Sequence, residues 1–115
     1  MKLKLKSKYN TGKIYIIKFK NNDNHIYIGS TIKNINHRFN NHIKSHLYKR
    51  NKTSLTKYIT KNYKNDWSNC YISLLLNYPC KNKKELEKKE FELINKYKKY
   101  KKYSIINING ILYKK

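Results

Sequence analysis

The chain reads as a single α+β domain, a small antiparallel sheet with helices packed on it, in the order β-β-α-α-β-α. Three observations predict this. Its 115 residues are too few for two independent cores without staples. Near the N-terminus, two short runs rich in β-branched and aromatic residues stand either side of a polar turn. Beyond them, apolar residues recur at helical spacing in segments separated by one further apolar run.

Residues 12–20 (GKIYIIKFK) and 25–29 (HIYIG) are the two strands of a hairpin, and NNDN at 21–24 supplies the turn chemistry. Alternation puts Tyr15 on the face opposite Ile14 and Ile16, and Tyr27 on the face opposite Ile26 and Ile28. Across an antiparallel pair those tyrosines can be neighbours. After a connection over residues 30–33, Asn34 is placed to cap a helix in which Ile35, Phe39, Ile43 and Leu47 recur every four residues as one apolar stripe. Residues 54–63 predict a second helix with Leu55, Tyr58 and Ile59 turned inward. CYISLLLNY at 70–78 predicts a buried strand, ended by Pro79. A long charged helix is expected from about residue 83 to residue 100, and residues 104–111 form a short apolar segment that closes the domain. The domain is thus assigned to residues 12–111, with residues 1–11 as a basic N-terminal arm; no internal repeat or linker is evident.

The charge is lopsided, with 28 Lys plus Arg against 6 Asp plus Glu and a formal net charge of +22. A domain this basic attracts polyanions, and nucleic acid is the first partner to consider. Lysine is also the default base of a chain that contains no Ala, Val or Gln. The informative charges are therefore the rare ones: the two arginines, Arg38 and Arg50, and the six acids, four of which fall within residues 85–92. Cys70 and Cys80 cannot build a four-ligand zinc site, because the histidines at 25, 37, 42 and 46 lack the required spacing to them; free thiols are expected. The longest apolar stretch, residues 72–76, is too short to span a bilayer, and residues 1–8 lack a signal-peptide core. No membrane role is expected, and the reading is of a soluble, intracellular protein, cytoplasmic or nuclear, or acting in a host cell if viral.

Two helices carry a signal that packing does not explain. With Leu86 at 0°, Tyr97 falls near about 20°, Leu93 near about 340° and Ile94 near about 80°, and Glu90 lands inside that apolar arc at about 40°. Glu85, Glu87 and Glu92 fall at the edge or on the far side, where solvation accounts for them. A core-facing carboxylate must be paired with a cation or bind a metal, because burying it alone costs several kcal/mol; from the helix geometry, an ion pair with a Lys or Arg and a metal or catalytic role both stand. On the first helix, Arg38 and His42 lie side by side at the margin of the apolar stripe. Such an i, i+4 pair can clamp and polarise a phosphate, Arg through its fork of donors and His through hydrogen bonding or proton transfer.

Lys13-Ile14-Tyr15, then Tyr27-Ile28-Gly29, then Arg38 with His42 four residues on, then Glu90 in Glu90-Phe91-Glu92-Leu93-Ile94, then Ile106-Asn107-Ile108 together resemble the GIY-YIG nuclease family, over roughly residues 12–108. Lys13 stands where the Gly that names the family is found, with Gly12 just before it. The resemblance implies the GIY-YIG fold, a three-stranded antiparallel sheet flanked by helices. It also implies a metal-dependent endonuclease that hydrolyses DNA phosphodiester bonds with one divalent ion, Mg2+ or Mn2+. On this reading Tyr15 and Tyr27 border the attacking water, Arg38 contacts the scissile phosphate, His42 assists and holds Tyr15, Glu90 binds the metal, and Asn107, or Asn109 in its place, orients the substrate or the site. Gly29 is read as allowing a tight exit from the second strand.

Such chemistry needs a nucleophilic water, neutralisation of charge at the pentacovalent phosphate and help for the leaving oxygen. A single carboxylate suits Mg2+, which keeps several waters and is often held by one or two carboxylates plus substrate phosphate. A tyrosine base requires a phenol pKa well below its usual value, which Arg38, a metal and the basic field would favour. Because the catalytic core consumes nearly the whole sequence, low intrinsic sequence specificity is expected. A stand-alone domain of this kind fits a mobile element or a virus, or a subunit that borrows its targeting from a protein partner. The alternative is a non-catalytic basic nucleic-acid-binding domain that keeps the fold.

Overall fold

The computed structural model describes residues 8–21, 24–48, 53–100 and 102–107. Residues 1–7 of the basic arm, residues 22–23 of the hairpin turn, Arg50, and residues 108–111 with Ile108 and Asn109 lie outside them. The elements are β1 (Lys13–Phe19), β2 (His25–Thr31), α1 (Ile35–Leu47), α2 (Ser54–Tyr63), β3 (Cys70–Asn77), α3 (Lys83–Lys98) and β4 (Ser104–Ile105), preceded by a 3-10 turn over Lys8–Thr11. The chain is α+β, as its sequence predicts. Among the described residues no helix is long and apolar enough to cross a membrane.

The sheet has four strands in the order β3-β1-β2-β4, so β1 is internal. It runs antiparallel to β2, with Ile16 opposite Ile28, and to β3, with Ile17 opposite Ile72. The expected small antiparallel sheet is thus extended by a parallel strand. After α3 returns the chain to the outer side of β2, Ser104 and Ile105 pair with His25 and Ile26. Residues 104–105, read in the sequence only as a closing apolar segment, are a strand because β2 offers them an unpaired edge.

Both faces of the sheet are covered. Tyr15, Ile17 and Phe19 pack with Leu55, Ile59 and Trp67 on the α1 and α2 side, and Ile14, Ile16, Ile26 and Ile28 pack with Leu86 and Ile94 of α3 on the other. This sandwiching buries nearly every residue of β1. β3 behaves differently from expectation. As an edge strand paired only with β1, it leaves Leu74 45% exposed, and Tyr71 also faces solvent.

Local chemistry sets the helix ends. Asn34 caps α1 by accepting from the backbone N–H of Asn36 at 2.8 Å, Thr53 and Thr56 form a reciprocal capping box on α2, and Asn82 accepts from the Glu85 N–H at 2.9 Å to start α3. The four-residue stripe on α1 does not hold to its end. Each step of four drifts about 40° from the helix repeat, so Ile35, Phe39 and Ile43 reach the core while Leu47 is 45% exposed. The buried positions of α1 are instead His42 and His46. His46 is fully used there. The Trp67 indole N–H donates to its Nδ1 at 2.9 Å, and its Nε2 meets the Thr60 hydroxyl at 2.9 Å, tying α1 to α2 and to the turn before β3.

Gly12 sits where two backbones touch: its carbonyl accepts from the Tyr78 N–H at 2.8 Å, and a Cβ there would lie 2.5 Å from the Tyr78 carbonyl oxygen. The Tyr9 carbonyl accepts from both Gly12 and Cys80, so the 3-10 turn is stitched to the chain entering α3.

Candidate active site

The β1–β2 register places Tyr15 opposite Gly29 and Ile17 opposite Tyr27. The two tyrosines are therefore diagonal neighbours on the face toward α1, as alternation requires. Gly29 serves this arrangement and not a tight strand exit. β2 continues past it to Thr31 without a positive φ, and a Cβ on Gly29 would lie 2.5 Å from Cζ of Tyr15. The missing side chain is the space in which the Tyr15 ring lies.

α1 brings Arg38 and His42 to this face. Nε2 of His42 is 2.8 Å from the Tyr15 hydroxyl, and its ring meets the Tyr15 and Tyr27 rings edge-on. Burial, and then the nearby Arg38 charge, lower the His42 pKa to about 3, so its imidazole is neutral. Burial raises the Tyr15 phenol well above its ordinary value, the neighbouring Tyr27 adds to this, and the charge and hydrogen bonding of Arg38 oppose it without prevailing. The lowered phenol pKa expected from the basic field is thus overturned: desolvation outweighs Arg38. Tyr15 and His42 form a neutral pair in which either group donates, according to the imidazole tautomer.

α3 approaches from the other face and supplies Glu90. Its Oε1 accepts a 2.6 Å hydrogen bond from the Ser30 hydroxyl. Burial raises its pKa, the Ser30 bond lowers it, Glu87 raises it and Arg38 lowers it. Among the described residues, the ion pairs are Lys83–Glu87 at 3.9 Å and Lys89–Glu92 at 3.4 Å, so no cationic side chain lies within ion-pair distance of Glu90. Of the two readings open for this carboxylate in the sequence, the ion pair is not formed among the described residues.

Asn107 is buried, and its amide is spent on backbone: Oδ1 accepts from the Ile28 N–H at 2.9 Å and Nδ2 donates to the Ile28 carbonyl at 2.6 Å. It acts as one more rung after the short β4 ladder. Because Ile28 turns its N–H and C=O toward Asn107, alternation turns those of Ser30 toward the same outer edge, where β4 no longer runs. The cleft opens there. It measures about 410 Å3, and Tyr15, Tyr27, Arg38, Glu90 and Asn107 all line it. His42 is not in its wall but stands behind Tyr15, which it contacts.

Other lining residues were not singled out in the sequence, among them Ser30, Glu87, Tyr9, Lys33 and Lys83. For Ser30 the signal was present, since alternation puts residue 30 in the row of Ile26 and Ile28, facing α3. Glu87, assigned to solvent by its wheel position, lines the cleft one turn before Glu90 on α3. Tyr9 comes from the segment read as an arm, and no local pattern marks it. Among the described residues there is no group of three or more His, Cys, Asp or Glu side chains able to hold a metal ion; Glu90 stands beside open space, with Glu87 on the same cleft. Comparison with family models, with curated proteins and with solved structures finds no match for this chain.

Proposed function

We propose that the chain is a metal-dependent endonuclease of GIY-YIG type that hydrolyses DNA phosphodiester bonds with low intrinsic sequence specificity. The observation that carries this reading is the composition of one cleft: a hydrogen-bonded tyrosine–histidine pair, an arginine and a half-buried carboxylate without a cationic partner, drawn from β1, α1 and α3. The antiparallel trio β3-β1-β2 with helices on both faces supports the finer fold reading, with β4 as an addition at its edge.

Glu90 fits a divalent ion, since a carboxylate held in a cleft, with no cationic side chain of the described residues in ion-pair reach, calls for positive charge from elsewhere. Mg2+ or Mn2+, if held there by Glu90, would supply charge neutralisation at the phosphate. Arg38 offers a fixed fork of donors to a non-bridging phosphate oxygen. Tyr15 works as a neutral phenol: with Nε2 of His42 unprotonated, Tyr15 donates to it, and of its two lone pairs one meets Arg38 and the other is left for a water. As the water oxygen bonds to phosphorus, its proton passes to Tyr15 while the phenol proton passes to Nε2; the bond from phosphorus to the leaving ester oxygen breaks on the opposite side, and that oxygen takes a proton from solvent water. Arg38 opposes the charge this creates on His42, so the transfer depends on the negative phosphate being in place. Asn107 holds β2, and with it Ser30 and Gly29, in register.

DNA is the substrate because +22 of net charge favours a polyanion, and a protein partner is the source of any targeting. A basic binding module without catalysis gains nothing from a desolvated carboxylate. The test is supercoiled plasmid incubated with Mg2+ or with chelator. Wild type should nick only with metal, and Glu90→Ala should bind DNA but not cut. Cutting by Glu90→Ala at the wild-type rate, or by wild type in chelator, overturns the reading.

A further inference from the structure

Ser30 and Glu90 meet across 60 positions of sequence, yet their contact is among the shortest side-chain hydrogen bonds in the protein, 2.6 Å from Oγ to Oε1. A serine hydroxyl has one proton to donate, and here it engages one carboxylate oxygen. Oε2 has no hydrogen-bond or ion-pair partner among the described residues, and its side chain lines the cleft. The strand that carries Ser30 is anchored by β1 and by its own preceding residues: Ser30 lies opposite Ile14 of β1, and two residues back Ile28 is clamped by Asn107. The hydroxyl therefore comes from a backbone that cannot drift relative to the sheet.

We propose that Ser30 is a positioning residue that fixes the Glu90 carboxylate with Oε2 turned to the cleft and thereby sets the affinity of the site for a metal ion. This rests on the reading of Glu90 as a metal ligand. A chain of +22 repels cations at long range, so the site must bind its ion through a carboxylate already immobilised before the ion arrives. Outer partners of metal ligands act in this way, and their loss typically weakens metal binding by 10- to 100-fold.

The experiment uses Tb3+ as the probe, with its luminescence excited through tyrosine, because Tyr15 and Tyr27 line the same cleft as Glu90. Wild type, Ser30→Ala, Ser30→Thr and Glu90→Gln are titrated in the absence of DNA, with metal-free thermal melts alongside. Glu90→Gln should lose the sensitised emission. Ser30→Ala should need about tenfold more Tb3+ for half-saturation, and Ser30→Thr, which keeps the hydroxyl, should return it to near wild type. A purely structural role for Ser30 would lower the melting temperature but leave half-saturation of the folded protein unchanged, and that result overturns the proposal. If Ser30→Ala saturates like wild type while Glu90→Gln is silent, the positioning role falls and the ligand role of Glu90 stands. If Glu90→Gln also saturates like wild type, both fall. Should Ser30→Ala not fold, Ser30→Cys takes its place, with binding weaker than wild type expected and equal binding overturning the role.

Discussion

His42 makes folding stability depend on pH in a way that can be isolated. It is 6% exposed, and its pKa falls from 6.5 in the unfolded chain to about 3 in the fold. Between those values the unfolded chain binds the proton and the native protein does not, so stability is full above pH 6.5 and is lost as pH falls toward 3. From the two values, the loss between pH 7.5 and pH 5 is about 2 kcal/mol, growing by about 1.4 kcal/mol per further pH unit until the native imidazole titrates. Glu90 works the other way, because a carboxyl raised by burial contributes stability at low pH that is lost as pH rises through its folded pKa. The whole-protein profile therefore mixes the two, and the informative quantity is a difference. In His42→Gln the amide offers Tyr15 a partner but no titration. Urea unfolding of wild type and His42→Gln at pH 7.5, 6 and 5 should show the stability gap shifting against wild type by about 2 kcal/mol across the range. A gap constant to within about 0.5 kcal/mol would mean that His42 is protonated in the fold, and the neutral Tyr15–His42 pair would fall with it.

Arg38→Lys keeps the charge but loses the fork, and cleavage should slow on the order of a hundredfold; an unchanged rate in a plasmid assay would reduce Arg38 to a surface charge. Gly29→Ala drives a methyl into the Tyr15 ring, and thermal or urea denaturation should show a loss of about 1–3 kcal/mol together with reduced cutting; wild-type stability and rate would refute the close approach. DNA affinity should fall steeply with salt, with a slope of about −0.9 in log K against log salt for each phosphate neutralised, and alike on two unrelated duplexes; a shallow slope would reveal a recognition surface of another kind. Cys70 is 8% exposed and burial pushes its thiol up to about 12, whereas Cys80 is only half-buried. A thiol reagent at pH 8 should therefore modify Cys80 in the native protein and Cys70 only on unfolding, and equal rates would contradict the burial of Cys70.

What the sequence by itself determined is what one buried face imprints locally. The period of two at Tyr15 and Tyr27, the cap at Asn34, the inner face of α2 and the misplaced carboxylate at Glu90 are each visible within a few residues of chain, because burial selects side chains turn by turn. Strand order left no such imprint. An apolar run reads the same whether it becomes the internal β1 or the edge β3, and residues 104–105 become a strand only because β2 has an open side. The contacts that build the site are of this second kind: Tyr15 to His42 spans 27 positions, Ser30 to Glu90 60, and Asn107 to Ile28 79. So too is the protonation of Tyr15. Counting charges in the sequence pointed to a lowered phenol pKa, but the layers that close over β1 remove water from the phenol, and desolvation acts more strongly there than the single neighbouring guanidinium.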